Sequence, residues 1–221
     1  GYYTVRLKEG LTYYFPIDKR AGDRIWVDHI ADPFGNTLHY LRDAKGLREI
    51  RESCGRRIEV DSQQGRITAM RLYQPGKPSQ LLVRYNYDDQ GNLTEVYDAL
   101  GVPYRFVYRD NLLVEHKNRN GLSFYYEYDK YTPEGRCIHT WGDGGLYEER
   151  FVYHDDKNTV EVTGALGTTV FLYDDRYLVL EETDPSGGVT KYEYDEYGRT
   201  TAVVDPDGHR TEYAYDRAGN L

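Results

Sequence analysis

The sequence predicts an all-β fold of tandem antiparallel β-hairpins, each about 21 residues long, forming a curved or spiralling sheet. Three observations predict it: aromatic pairs recur at a regular spacing, Asp-x-x-Gly motifs lie between them, and polar residues alternate with the aromatic ones. Helices are expected to be few, because no stretch combines an apolar 3.6-residue period with capping residues.

The aromatic pairs define the repeat. The two rings of a pair are two residues apart, and successive pairs follow at 20 to 25 residues. Side chains two residues apart point to the same face of a strand, so each pair is predicted to pack on one half-buried face. The predicted repeat aromatics are Tyr85 and Tyr87, Phe106 and Tyr108, Tyr126 and Tyr128, Phe151 and Tyr153, Phe171 and Tyr173, Tyr192 and Tyr194, and Tyr213 and Tyr215.

Asp-x-x-Gly motifs predict the turns. A type I turn favours Asp at its first position, Pro at its second and Gly at its fourth, where a positive φ is needed. A second strand is expected after each turn, as in 93–97 and 200–204, where β-branched and aromatic residues dominate. The predicted repeat turns pair Asp88 with Gly91, Asp98 with Gly101, Asp184 with Gly187, Asp195 with Gly198, Asp205 with Gly208, and Asp216 with Gly219.

The pattern divides the chain by regularity. Residues 85–221 are predicted to be regular repeats and residues 1–84 degenerate ones, within one continuous array. The regular part departs from the pattern at Tyr177, where Gly is expected, at His154, where Asp is expected, and in an expected insertion around 131–144. Because the chain ends just where another strand is expected, the array is predicted to be part of a longer protein.

Tyrosine is the main source of apolar surface. The chain has 24 Tyr in 221 residues and a mean hydropathy of -0.79. Low hydropathy is typical of disorder, but disordered chains are poor in aromatic residues. Each well-buried ring is expected to contribute roughly 1.5–3 kcal/mol. Columns of rings on neighbouring strands are expected to add cross-strand contacts.

Charge and composition exclude several classes. With 37 acidic and 28 basic residues the net charge is -9, which argues against nucleic-acid binding. The longest apolar stretches, such as 81–83, are far too short for a membrane helix, and no targeting signal opens the chain. Cys54 and Cys137 match no metal or redox spacing and are expected to be free structural thiols.

No catalytic, cofactor or metal site is predicted. Paired acids, Asp88-Asp89, Asp174-Asp175, Glu148-Glu149 and Glu181-Glu182 among them, have the residue type that glycoside hydrolysis requires. They recur, however, at turn positions, where Asp bonds to the backbone. The six His residues are scattered, and Cys137-x-His139 is too sparse for zinc. The sequence therefore predicts a protein that is not an enzyme.

The combined motif resembles a known repeat. Tyr-x-Tyr-Asp-x-x-Gly-[Arg/Asn], followed by Asp-Pro-x-Gly-x-x-Thr, is similar to the YD repeat of Rhs proteins, most closely over 173–221 and well from 85 onward. The resemblance implies a segment of a hollow β-shell, as in bacterial Rhs effectors, insecticidal toxin-complex proteins and teneurins. In the bacterial members the shell encloses a C-terminal toxin, which is released after self-cleavage downstream of the repeats. Nothing in this chain resembles the cleavage region or a toxin domain.

The resemblance implies a non-catalytic structural role. The expected partners are the remainder of the same shell and an enclosed C-terminal toxin or other cargo, in a protein that is secreted, delivered by a bacterial secretion system or displayed on a cell surface. An alternative is a carbohydrate- or cell-wall-binding aromatic repeat, or a segment of an adhesion ectodomain, with glycans as partners. Such binding arrays depend on Gly-Trp pairs, whereas this chain contains only Trp26 and Trp141.

Overall fold

A computed structural model describes residues 1–17 and 24–221, in two compact units, Gly1–Arg105 and Phe106–Leu221. The predicted all-β antiparallel class is confirmed in both. The only helical element of the described residues is a 3-10 turn, Asp143–Gly145. None of the helical structure in this part of the chain has the length and apolar character to span a bilayer. The predicted division by repeat regularity, 1–84 and 85–221, remains a prediction.

The first unit is a succession of antiparallel strands, each paired with the next in sequence. These strands are β1 (Tyr2–Arg6), β2 (Thr12–Pro16), β3 (His29–Ala31), β4 (Thr37–Asp43), β5 (Gly46–Glu52), β6 (Arg57–Gln63), β7 (Arg66–Tyr73), β8 (Gln80–Tyr87), β9 (Leu93–Asp98) and the beginning of β10 (Pro103–Arg109).

The second unit begins within β10, and in it each strand after β10 is paired with the next in sequence. Its strands are β11 (Leu112–Lys117), β12 (Ser123–Tyr128), β13 (Cys137–Gly142), β14 (Leu146–His154), β15 (Thr159–Gly164), β16 (Gly167–Tyr173), β17 (Val179–Thr183), β18 (Val189–Tyr194), β19 (Thr200–Val204) and β20 (Arg210–Glu212). The repeat aromatics Tyr213 and Tyr215 lie just beyond β20, although the Tyr213 amide still donates to the Thr201 carbonyl at 2.9 Å.

Neither unit has a conventional core. Within each unit, substantial contacts between strands join strands that are consecutive in sequence, which is the pattern of a single layer. Among the described residues the buried hydrophobic side chains are Val60, Ala69 and Ala202, and no large side chain is fully buried. In β18 the alternation is direct: Lys191 and Glu193 are exposed, whereas the two tyrosines of the strand are half-buried.

A register irregularity recurs at the end of the strands that carry the aromatic pairs. The pairing shifts immediately before the second aromatic residue of the pair in β8, β12, β16 and β18, at Tyr87, Tyr128, Tyr173 and Tyr194. A bulge increases the local twist and re-aims the side chain beside it. The bulge therefore changes the direction in which the second ring of each of these pairs points relative to the first.

The departures from the repeat pattern have local explanations. Tyr177 takes the position expected of Gly with a φ of 61°, and its ring stacks on Tyr173 at 5.8 Å. The expected insertion around 131–144 is narrower than the sequence suggests, because 137–142 forms strand β13 and the additional residues lie in the loop before it. The thiols of Cys54 and Cys137 are free, but Cys54 is exposed, so it has no packing role.

Loop glycines are expected to contribute through backbone conformation. Gly208 has a φ of 86°, and a Cβ built on it would meet nothing within 4 Å, so replacement by Ala introduces strain without a clash. We expect Gly208→Ala to lower the free energy of unfolding by about 1 kcal/mol. Gly164, outside the left-handed region and with its nearest neighbour at 3.7 Å, is the control; Gly164→Ala should cost less. Urea unfolding followed by circular dichroism measures both, and equal losses would contradict the backbone explanation.

Candidate functional site

The aspartates of the repeat turns bind the backbone of their own loops. In the loop after β18, the Oδ1 atom of Asp195 accepts the amides of Tyr197 and Arg199, both at 2.9 Å. The Asp195 amide donates to the Arg199 carbonyl at 3.0 Å, and the Gly198 amide donates to the Asp195 carbonyl at 3.1 Å. One carboxylate oxygen therefore closes a five-residue loop, which answers the need of loop amides for a partner.

This arrangement recurs along the chain. In each case Oδ1 accepts the amides two and four residues further on. It is found at Asp32, Asp88, Asp174, Asp184, Asp195, Asp205 and Asp216, and Asn118 does the same with its amide oxygen. In the remaining predicted turn, Asp98 Oδ1 accepts the Leu100 amide at 2.9 Å, and the Gly101 amide donates to the Asp98 carbonyl at 3.1 Å.

The loop hydrogen bonds favour the ionised form of these carboxylates. The Ser186 hydroxyl, followed by the Gly188 amide, lowers the pKa of Asp184. The His209 amide is the main cause that lowers the pKa of Asp205. The pKa values of Asp32, Asp88, Asp174 and Asp195 are lowered as well. A carboxylate held by several donors is a structural group, and this is the role that its turn position predicts.

The tyrosine at the second position of the aromatic pair forms a hydrogen bond to the preceding repeat. Tyr194 donates its hydroxyl to the Val179 carbonyl at 2.8 Å, at the first residue of β17. The corresponding bonds run from Tyr87 to the Ile67 carbonyl, from Tyr128 to Leu113, from Tyr153 to Cys137 and from Tyr215 to Thr200, at 2.8 to 2.9 Å. Burial raises the pKa of Tyr194, as expected for a phenol that stays protonated and donates. At these five positions neighbouring repeats are thus joined by hydroxyl-to-carbonyl bonds, which the sequence alone did not predict.

Arginine adds a second link between repeats. The Nε atom of Arg199 lies 2.6 Å from Asp195 Oδ2, and its guanidinium carbon lies 4.5 Å from the ring centre of Tyr215 in the next repeat. Arg136 sits in the same way 4.5 Å from the ring centre of Tyr153. A cation over an aromatic face is attracted by the ring quadrupole. The Arg199 guanidinium therefore joins the loop closed by Asp195 to the Tyr215 ring of the next repeat.

The first aromatic of each pair has more varied surroundings. Tyr192 donates to Glu182 Oε2 at 3.0 Å, and the Tyr126 hydroxyl lies 2.8 Å from His116 Nδ1. The His116 ring also stacks on Phe106 and Phe124, at 6.4 and 4.9 Å. All fourteen predicted repeat aromatics are half-buried, including Tyr85, Tyr108, Phe151, Phe171, Tyr173 and Tyr213.

The acidic residues of the acid pairs have different hydrogen-bond and ion-pair partners in the structure. Asp88 and Asp174 close loops, whereas Glu181 forms an ion pair with Lys191 at 2.8 Å and Glu182 accepts from Tyr192. Glu148 lies 2.9 Å from Nε2 of the buried His139, and this contact lowers the pKa of Glu148. The histidines were the residues that sequence reasoning missed: their cross-strand positions follow from the turn spacing, but nothing in their local sequence marks them.

Removing a single hydroxyl tests the link between repeats. Tyr194→Phe leaves the Val179 carbonyl without its donor, so we expect the free energy of unfolding to fall by about 1 kcal/mol. Tyr197, in the following loop, is 75% exposed, and Tyr197→Phe is the matched control, expected to change stability little. Urea unfolding measures both, and an unchanged midpoint for Tyr194→Phe would show that the hydroxyl bond is not stabilising.

The turn carboxylates predict an acid-sensitive fold. Their pKa values are lowered on folding, so the stability they add is fully present above the unfolded pKa of roughly 3.9 and is lost as pH falls through the lower folded values. Asn keeps the Oδ1 acceptor without titrating, as Asn118 shows. We therefore expect Asp184→Asn combined with Asp205→Asn to move the acid-unfolding midpoint to lower pH.

Circular dichroism between pH 7 and pH 2 checks this expectation. Asp207→Asn is the control, because Asp207 is exposed in the same loop as Asp205 and its amide, rather than its carboxylate, takes part in the turn. If the double variant and the control had the same acid midpoint as the unchanged chain, the turn carboxylates would not be the groups whose protonation unfolds the protein.

Comparison with known proteins places these features in a family. The family model for the RHS repeat matches residues 87–123, 173–210 and 194–221. The chain is 32% identical over 127 residues to double-stranded DNA deaminase toxin A of Burkholderia cenocepacia, covering 56% of this chain and 9% of that protein. It is 40% identical over 87 residues to the toxin protein Tse5 of Pseudomonas aeruginosa, covering 39% of this chain and 6% of that protein.

The chain is also similar to part of a solved structure. A crystal structure of TcdB2-TccC3-TEV aligns with 95% of this chain and 11% of its own length, at 16% identity and a TM-score of 0.47. Of the two curated toxin relatives, the match to this chain covers less than a tenth of the length of each. The RHS-repeat matches and the two toxin relatives agree with the motif read from the sequence: the chain contains repeats of the Rhs/YD type, at residues 87–123 and 173–221.

Proposed function

We propose that this chain is a non-catalytic length of the wall of an Rhs-type β-shell, which encloses a C-terminal toxin or other cargo. The observation that carries the proposal is the chain of links between neighbouring repeats. Most of the repeat loops are closed by their own Asp, and five repeats are attached to the preceding one through a Tyr hydroxyl. At Arg199 and Arg136 a guanidinium adds a second attachment. Stability that depends on the nearest neighbour suits a sheet that extends by adding repeats.

The chemistry of the sheet surface supports enclosure of a chain that must later leave. The exposed side chains of the strands form ion pairs, such as Lys191 with Glu181 at 2.8 Å and Arg210 with Glu193 at 2.6 and 2.9 Å. Where such ion pairs cover the strands, an unfolded polypeptide meets charged groups rather than apolar side chains and has less surface on which to adhere. A wall of this kind excludes solvent and proteases without trapping what it contains.

The relatives support the nature of the cargo. Both curated relatives are named as toxins, so a toxin is the cargo we propose, with the remainder of the same shell as the structural partner. A protein of this kind would be secreted, delivered by a secretion system or placed on the cell surface. The chemistry of the toxin would belong to the cargo, and we propose no reaction for the repeats.

Carbohydrate binding is the competing proposal, and the repeat tyrosines argue against it. Sugars stack on free aromatic faces, but guanidinium groups lie over the rings of Tyr153 and Tyr215, and the hydroxyls of both are bonded to backbone carbonyls. Tyr128 is likewise committed to a carbonyl and also contacts the ring of Tyr131. Titration calorimetry with cell-wall glycans would reveal binding if other rings serve that purpose.

Protease protection in the longer protein that contains these repeats tests the wall. We expect the C-terminal cargo to resist protease in the native protein and to be cleaved once the repeats are unfolded. Combining Tyr194→Phe with Arg199→Leu removes both links made by one loop region, so cleavage of the cargo should become several-fold faster. Tyr197→Phe should leave the rate unchanged. A cargo cleaved equally fast in the native and unfolded protein would contradict enclosure.

A further inference from the structure

Two histidines lie side by side in the first unit. His29 of β3 is the direct cross-strand partner of His39 of β4 and, on its other side, of Tyr14 of β2. The His29 ring stacks on Tyr14 at 4.1 Å, and its centre lies 4.9 Å from that of His39. The loop that begins at Asp32 lies midway between the two histidines and sets this register.

A carboxylate lies beside the two imidazoles. Asp28 immediately precedes β3, and its Oδ2 atom lies 2.8 Å from His29 Nδ1. The Tyr2 hydroxyl donates to the same oxygen at 3.3 Å and so steadies the carboxylate. One potential ligand atom from each of Asp28, His29 and His39 lies within 4.8 Å of the others.

The cluster is sheltered but accessible. All three residues are half-buried, and Asp28 and His39 line an open groove through which a small ion can enter. A half-buried group of polar ligands is a better ion site than an exposed one, because fewer water molecules compete and the side chains lose less freedom on binding.

Four arginines line this groove, Arg24, Arg42, Arg48 and Arg51, and two of them are held by protein acceptors. Arg51, which is opposite His39 on β5, donates to Glu49 Oε1 at 2.8 Å. Arg42 donates to the carbonyls of Val27 and Tyr40 at 2.6 and 3.2 Å. These contacts draw both guanidinium groups toward protein acceptors and lower the repulsion that a bound cation would meet.

We propose that Asp28, His29 and His39 form a binding site for a divalent transition-metal ion of the zinc type. Two imidazoles and one carboxylate favour Zn²⁺, Co²⁺, Ni²⁺ or Cu²⁺ over Mg²⁺ and Ca²⁺, which prefer oxygen ligands. Bonds of about 2.0–2.2 Å bring tetrahedral ligand atoms to roughly 3.3 Å from one another, so binding requires modest side-chain rotation. Three protein ligands leave the fourth position to water or to an incoming group.

The chain contains its own comparison site. Asp205, Asp207 and His209 also bring three potential ligand atoms within 4.8 Å, but they offer one imidazole, and two of the three residues are exposed. Asp205 Oδ1 already accepts the amides of Asp207 and His209, at 3.0 and 2.8 Å. This loop cluster has the same residue types without the paired histidines, and it is the matched control.

Zinc and cobalt titrations test the site on the full chain after treatment with a chelator. Calorimetry should show one Zn²⁺ bound per chain and a rise in melting temperature, and Co²⁺ should give the visible absorption of a tetrahedral complex. His39→Gln and Asp28→Asn should each weaken Zn²⁺ binding by about tenfold or more. His209→Gln should leave the affinity unchanged.

Two results would overturn the proposal: no saturable Zn²⁺ binding by the unchanged chain, or binding that survives His39→Gln and is lost in His209→Gln. Circular dichroism without metal shows whether each variant is folded. Should His39→Gln fail to fold, the cobalt spectrum of the unchanged chain decides, since the absence of the tetrahedral absorption would reject the site. None of these outcomes depends on the proposed role of the repeats as a wall.

Discussion

The fold depends on how the polar backbone groups at the ends of its strands are satisfied. A sheet one layer thick has no second layer to cover its loops, and the few buried hydrophobic side chains cannot anchor them. Unpaired amides and carbonyls are costly wherever water is partly excluded. Asp195 supplies an acceptor for the amides of its own loop, and the adjacent Tyr194 supplies a donor for a carbonyl of the preceding repeat. Tyr194 bonds to the repeat that precedes it, and Asp195 bonds to the loop that follows it. At the junction of strand and loop both bonds are needed, which is a physical reason for the two residues being adjacent.

Strands and turns could be predicted from the sequence because their causes are local. The alternation in β18 and the Asp-x-x-Gly spelling of the 195–199 loop are readable within one repeat, since each depends on side-chain periodicity or on the φ that Gly permits. The pairing of Arg199 with Tyr215 was not readable, because it joins residues sixteen positions apart across a turn. The bulge before Tyr194 also leaves no mark on composition. The width of the insertion was overestimated because β13 contains none of the aromatic pairs.

A signal for the tyrosine links was nevertheless present. The first member of the aromatic pair is Phe in three repeats, at Phe106, Phe151 and Phe171, whereas the second member is Tyr in all seven. Ring packing alone would accept either residue, so the constant hydroxyl indicates a hydrogen bond at the second position. The structure supplies acceptors for five of these hydroxyls, on the backbone of the preceding repeat.

The loop 129–136 shows what this mode of closure permits. Asp129 Oδ1 accepts the Arg136 amide at 2.8 Å, and the Asp129 amide donates to the Arg136 carbonyl at 3.0 Å, although the loop has eight residues where the loop after β18 has five. These hydrogen bonds join the first and last residues of the loop, so they can form whatever the number of residues between them. Residues can therefore be inserted between the two ends of such a loop during evolution while the flanking strands keep their pairing register. The loops of the array can vary in length and sequence without a change in the sheet.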